Sequence, residues 1–172
     1  MKKVLLFFLV TVICGAGFSQ STTTLACSAN PVYRQLDFWV GEWDVYSPKR
    51  GRIVASSKIE RILDSCVILE NFTQGTYSGK SFTTYNELTH QWQQTWVDNG
   101  GHISEFRKGH AEENRLVLVQ DVINPDGSST KSQTRMTFDK LNENTVRQLG
   151  EKSDDAGKTW AITFDLEYRR KK

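Results

Sequence analysis

Metal-ligand spacing is missing from this 172-residue chain. Its three histidines, His90, His102 and His110, fall near predicted turns, and there is no H-E-x-x-H, C-x-x-C or H-x-H. These absences argue against a structural or catalytic metal, and no cofactor of any kind is expected. The chain also lacks a G-x-S-x-G elbow and a Gly-rich phosphate loop, the signatures of serine-hydrolase and nucleotide chemistry. Low-complexity tracts, linkers and a second domain are absent as well. Charge of either sign is scarcely in excess: 22 Lys and Arg stand against 20 Asp and Glu. Nothing in that balance selects nucleic acid or an anionic membrane surface.

Only the N-terminus carries a sustained apolar run. Met1-Lys2-Lys3 precedes the run 4–13, and the small residues Gly15, Ala16 and Gly17 follow. Basic start, apolar core and small residues in that order make a secretory signal peptide over 1–19. Gly17 and Ser19 supply the small residues at −3 and −1, so the processed chain begins at Gln20. The run is shorter than the roughly 20 residues that span a bilayer, so no integral membrane segment is expected after processing. Cleavage removes Lys2 and Lys3 but no acid, which brings the net charge to about zero. The chain is therefore read as periplasmic or secreted, and as a monomer.

Of three cysteines, Cys14 leaves with the signal, and Ile13 before it is too large for lipid attachment. Cys27 follows Leu25-Ala26, a better lipobox, but the polar stretch 20–24 separates it from the apolar core. Lipidation at Cys27 is thus the lesser alternative to a Cys27–Cys66 disulfide in an oxidising compartment. Residues 20–30 read as a flexible leader and 31–172 as one domain.

That domain alternates apolar and polar residues with a period of two. Candidate strands are 43–46, 52–59, 67–73, 80–86, 91–97, 103–107, 116–123, 132–138, 145–151 and 160–168. Turn-forming clusters such as Asp98-Asn99-Gly100-Gly101 and Asn124-Pro125-Asp126-Gly127 divide them. The prediction is an all-β, antiparallel meander of about ten strands that closes into a barrel, preceded by a short helix over 32–39. The stretch 59–63 fits either a strand or a helical turn.

Two stretches carry resemblances. Ser153-Asp154-Asp155-Ala156-Gly157-Lys158-Thr159-Trp160 resembles the Asp-box of sialidase propellers. A single copy makes no propeller, so it is read as a hairpin turn. The string Asp37-Phe38-Trp39-Val40-Gly41-Glu42-Trp43 contains the Gly-x-Trp of lipocalin-like (calycin) barrels. Together with 62–71, Trp92-x-x-Thr95-Trp96-Val97-Asp98, Thr159-Trp160 and Tyr168-Arg169, it resembles a DUF1579-like family of exported bacterial lipocalin-like proteins of unknown function. The resemblance covers about 33–170. It implies a lipocalin-like barrel with Trp43 plugging one end and Gly41 letting the chain turn in. Some barrels of that kind hold haem through a histidine on a late strand, and here no histidine follows His110.

On a strand, Trp92, Gln94, Trp96 and Asp98 share one face. Two indoles interleaved with an amide suit the lining of a pocket for a flat ligand, and core filling is the alternative. Glu70 interrupts an apolar run and needs a partner if it faces inward; Arg147 is a candidate. Tyr85 and Tyr77 are possible hydroxyl donors, whereas Tyr168, beside the basic tail, reads as sheet packing. The expected ligand site is Trp43, Glu70, Tyr85, Trp92, Gln94, Trp96 and Arg147, and the expected partner is a small hydrophobic or aromatic molecule. Two alternatives stay open. One is a barrel enzyme, cyclase- or decarboxylase-like, using Glu70, Tyr85 and Arg147. The other is a packed structural or interaction domain.

Overall fold

The computed structural model describes residues 26–172. The signal segment 1–19 and leader residues 20–25 lie outside the described residues. A four-residue helix, α1 (Ala26–Ala29), is followed by two 3-10 turns, Pro31–Arg34 and Asp37–Trp39. The helix expected over 32–39 is therefore two short turns broken at Gln35 and Leu36. Asn30 caps the first, its side chain accepting from the Val32 amide.

Eleven strands follow: β1 (Gly41–Ser47), β2 (Arg52–Ile62), β3 (Val67–Gln74), β4 (Tyr77–Asn86), β5 (Gln91–Asp98), β6 (Ile103–Phe106), β7 (Lys108–Glu112), β8 (Arg115–Ile123), β9 (Ser129–Asn142), β10 (Thr145–Ser153) and β11 (Ala161–Arg170). They form one antiparallel sheet in the order β6-β5-β4-β3-β2-β1-β11-β10-β9-β8-β7. The sheet is a nearly closed barrel. Only Arg107 separates β6, which pairs with β5, from β7, which pairs with β8, so one run of chain changes partner across the seam. There β7 lies against β5 and β6 against β8. Gly109 permits the approach, because a Cβ there would run into the Trp92 carbonyl and the Leu118 side chain.

Alternation sets what faces inward. Ile68, Glu70 and Phe72 of β3, Leu116 and Leu118 of β8, and Val146 and Gln148 of β10 are buried, while their neighbours are less so. The stretch 59–63 is strand as far as Ile62. Leu63, Asp64 and Ser65 then turn with φ of 49°, 53° and 75°. Cys66 ends that turn and is disulfide-bonded to Cys27, with Cα atoms 4.9 Å apart. Of the segment expected to be a flexible leader, residues 26–30 are instead held in place by this bond and by α1.

The 3-10 segment closes one end of the barrel. Trp39, Leu36 and Tyr33 are buried there with Trp43 and Trp92. Trp43 Nε1 donates to the Trp39 carbonyl at 2.9 Å, and Arg170 lies over the Trp43 ring at 4.3 Å. Gly41, at φ 144°, lies beneath that guanidinium, where a Cβ would collide with it. None of the helices among the described residues is long and apolar enough to cross a membrane.

Candidate ligand cavity

The other end of the barrel is open. Behind the β1–β2 and β3–β4 turns lies a cavity of about 950 Å³. Its apolar lining includes Val54, Phe72, Trp96, Phe106, Met136 and Leu166, and its polar lining includes Glu70, Gln94, Gln148 and Tyr168. The interior is therefore not filled solid, as the packed-domain alternative requires. The size and the mixture of apolar wall with a few polar groups are those of small-molecule sites.

β5 supplies one wall. Trp96 meets Phe72 edge-on, ring centroids 6.0 Å apart, and its indole rests over Gly79, where any side chain would strike it. Gln94 is buried and donates to Thr83 Oγ1 at 2.9 Å, which fixes its amide. Asp98, at the mouth, accepts from Tyr77 Oη at 3.2 Å and from the Gly100 amide at 2.8 Å, so it opens the turn that follows.

Deeper in the cavity sits a carboxyl group. Glu70 is 2 % exposed and lies among Ser57, Ser81 and Tyr168. Ser57 Oγ donates to its Oε1 at 2.9 Å and Ser81 Oγ to its Oε2 at 3.1 Å. Burial pushes this carboxyl above the usual glutamate range, against hydrogen bonds from Tyr168, Ser57 and Ser81 that favour its ionised form. Burial, and then the neighbouring Glu70, hold the Tyr168 phenol well above its ordinary value. Among the described residues, the groups that reach the carboxyl are hydroxyls, and no cation does.

The expected site residues divide by depth and by face. Glu70, Gln94 and Trp96 line the cavity. Trp92 points inward but belongs to the closed end, where its Nε1 donates to Gln35 Oε1 at 2.9 Å. Tyr85 is there too, packed edge-on against Tyr33 and Trp92. Trp43 is the buried floor beneath Arg170. Arg147 corrects the expected ion pair: it never meets Glu70. It holds Asp165 through two hydrogen bonds of 2.9 and 2.8 Å. The reason is parity, since Gln148 and Val146 point inward and Arg147 must point out. Glu70, Tyr85 and Arg147 thus lie in three separate networks and do not converge.

Sequence reasoning missed Tyr168, Gln148, Ser57 and Ser81. Period-two alternation along β11 could have placed Tyr168 inside, but only the register, with Glu70 opposite Ser81 and Tyr168 between Val45 and Val146, joins these groups. Among the described residues, no three His, Cys, Asp or Glu side chains are grouped to hold a metal. The Asp-box segment is a tight turn: Asp155 accepts from the Thr159 amide and hydroxyl, and Trp160 Nε1 donates to the Gly157 carbonyl at 3.0 Å.

What fold and cavity define together is an antiparallel β-barrel with one end sealed by indoles and the other open. Neither the family models nor the curated proteins compared with the chain match it.

Proposed function

We propose that this is an exported, lipocalin-like protein that binds a small hydrophobic or aromatic molecule inside its barrel and performs no chemistry on it. The observation that carries the reading is the cavity of about 950 Å³ with Phe72, Trp96 and Phe106 in its wall. A ligand there exchanges water for aromatic and aliphatic surface, worth about 25 cal/mol for each Å² of apolar area removed from water. Gln94 and Gln148 can orient a polar substituent. The signal-like N-terminus and the Cys27–Cys66 bond support export, because disulfides persist in oxidising compartments.

The test uses intrinsic fluorescence. Of the five tryptophans, Trp96 alone lines the cavity. Titration with N-phenyl-1-naphthylamine, a neutral aromatic probe, is expected to quench tryptophan emission with one-site saturation. Most of the quench should vanish in Trp96→Phe, while the probe's own fluorescence still reports binding. Absence of saturable binding by any apolar probe contradicts the proposal.

A further inference from the structure

Hydrogen-bonding capacity inside the cavity is not fully used. Two buried amides line it, Gln94 on β5 and Gln148 on β10, at 3 % and 7 % exposure. Gln94 Nε2 donates to Thr83 Oγ1, and the carbonyl at the other end of that amide has no donor among the described residues. Nor is this oxygen sealed in by packing, so it opens on the cavity beside it. Gln148 Oε1 accepts from Tyr168 Oη at 3.0 Å. Its Nε2 reaches only the thioether of Met136, a weak acceptor, at 3.1 Å. One free acceptor and one poorly served donor therefore face the interior.

Formal charge at that depth is closed off. Glu70 is 2 % exposed, and its two oxygens are occupied by Ser57, Tyr168 and Ser81. The other charged groups in the lining are Lys49 and Arg50, on the β1–β2 turn, and Asp165, which Arg147 holds. A ligand carboxylate brought beside the amides would lose its hydration without meeting a cation. A ligand ammonium would find the carboxyl already covered by hydroxyls. Burying either charge unpaired is costly. What the interior offers a ligand is neutral: amide hydrogen bonds, and the rings of Phe72, Trp96 and Phe106.

We infer that the ligand is an uncharged aromatic carboxamide or lactam, seated with its amide against Gln94 and Gln148 and its ring against Phe72, Trp96 and Phe106. This rests on the ligand-binding reading above and names the class of molecule bound. An amide carries a donor and an acceptor together, so one head can donate to the Gln94 carbonyl and accept from the Gln148 amide. A head that lacks either function leaves a buried group unmatched, which weakens binding by about tenfold.

Displacement of N-phenyl-1-naphthylamine by naphthalenes of nearly equal size tests it. In 2-acetonaphthone a methyl group replaces the nitrogen of 2-naphthamide and removes the donor. The amide should displace the probe at about tenfold lower concentration than this ketone. The anionic 2-naphthoate and the cationic 2-naphthylmethylammonium should both be weaker than the ketone. Gln94→Met keeps the length of the side chain and removes its carbonyl, so the amide should fall level with the ketone. Gln148→Met should weaken amide and ketone alike. If either variant fails to fold, the other variant and the order of competitors in the unaltered protein still decide. A ketone equal to the amide, or either ion displacing the probe best, overturns the inference and leaves the cavity reading intact. An advantage of amide over ketone that survives Gln94→Met overturns it as well. If no apolar probe binds, the cavity reading falls and the inference with it.

Discussion

Tyr168 Oη lies 2.9 Å from Glu70 Oε1, and the same oxygen lies 3.0 Å from Gln148 Oε1. A phenol has one proton and can serve one acceptor at a time. If Glu70 is protonated, its carboxyl donates to Tyr168, Tyr168 donates to Gln148, and each contact is filled. If Glu70 is ionised, one of the two contacts is left without a proton. Hydrogen-bond counting and burial thus agree that the carboxyl is neutral over a wider pH range than usual.

The consequence for stability has a definite sign. The folded value lies above the unfolded one, so the folded state binds the extra proton. The stabilisation is complete below the ordinary glutamate value of 4.5 and is lost as pH rises through the raised one. Glu70→Gln copies the neutral carboxyl, donor included, and cannot ionise. Its melting temperature relative to the unaltered protein should therefore climb between pH 4 and pH 8. Thermal melts of both proteins across that range check this, and a constant difference contradicts it.

The Cys27–Cys66 bond spans a sequence separation of 39 and anchors α1 to the β2–β3 turn. Closing a loop of that length removes unfolded-state entropy worth about 4 kcal/mol. Reduction, or Cys27→Ser with Cys66→Ser, should lower the melting temperature by about 10 °C. Calorimetry with and without reductant decides the matter. An unchanged melt after confirmed reduction removes the bond from the account.

Leu63 begins the β2–β3 turn at φ 49° with its side chain exposed. A branched residue in the left-handed region is disfavoured by about 1 kcal/mol, and here little packing compensates. Leu63→Gly should raise stability by up to about 1 kcal/mol, offset in part by the greater freedom of glycine in the unfolded chain. Denaturant melts would show a higher midpoint at unchanged slope. A clear loss would mean that Leu63 makes contacts its exposure conceals.

Asp155 is held at about 2, below the ordinary 3.8, chiefly by the Thr159 amide and then by the Thr159 and Ser153 hydroxyls. Its contribution is present above the ordinary aspartate value and is lost as pH falls toward 2. Asp155→Ala should melt earlier than the unaltered protein at pH 6 and draw level with it near pH 2. A gap that persists at acid pH contradicts this role.

The barrel was legible because inward and outward residues differ in polarity along most strands. β7 was not, since Lys108-Gly109-His110-Ala111-Glu112 has a single buried residue, the glycine at the seam, and no apolar alternation. The site was legible in part. Period two places Trp92, Gln94 and Trp96 on one face, but it says nothing about depth, so it could not tell that Trp92 seals the floor while Trp96 lines the cavity. Arg147 shows the opposite limit. Its neighbours in sequence suggested burial, while its parity with Gln148 sends it outward. The Glu70 cluster gathers β2, β3, β4, β10 and β11, and its members share no local pattern.

The central claim is a hollow barrel that takes its ligand inside. Co-crystallisation with 6-bromo-2-naphthol tests it most directly, because anomalous scattering locates the bromine without interpretation. The account predicts a single bromine site within the cavity, close to Phe72 and Trp96. Bromine found only on the outer wall, beside an interior closed up by its own side chains, would contradict it.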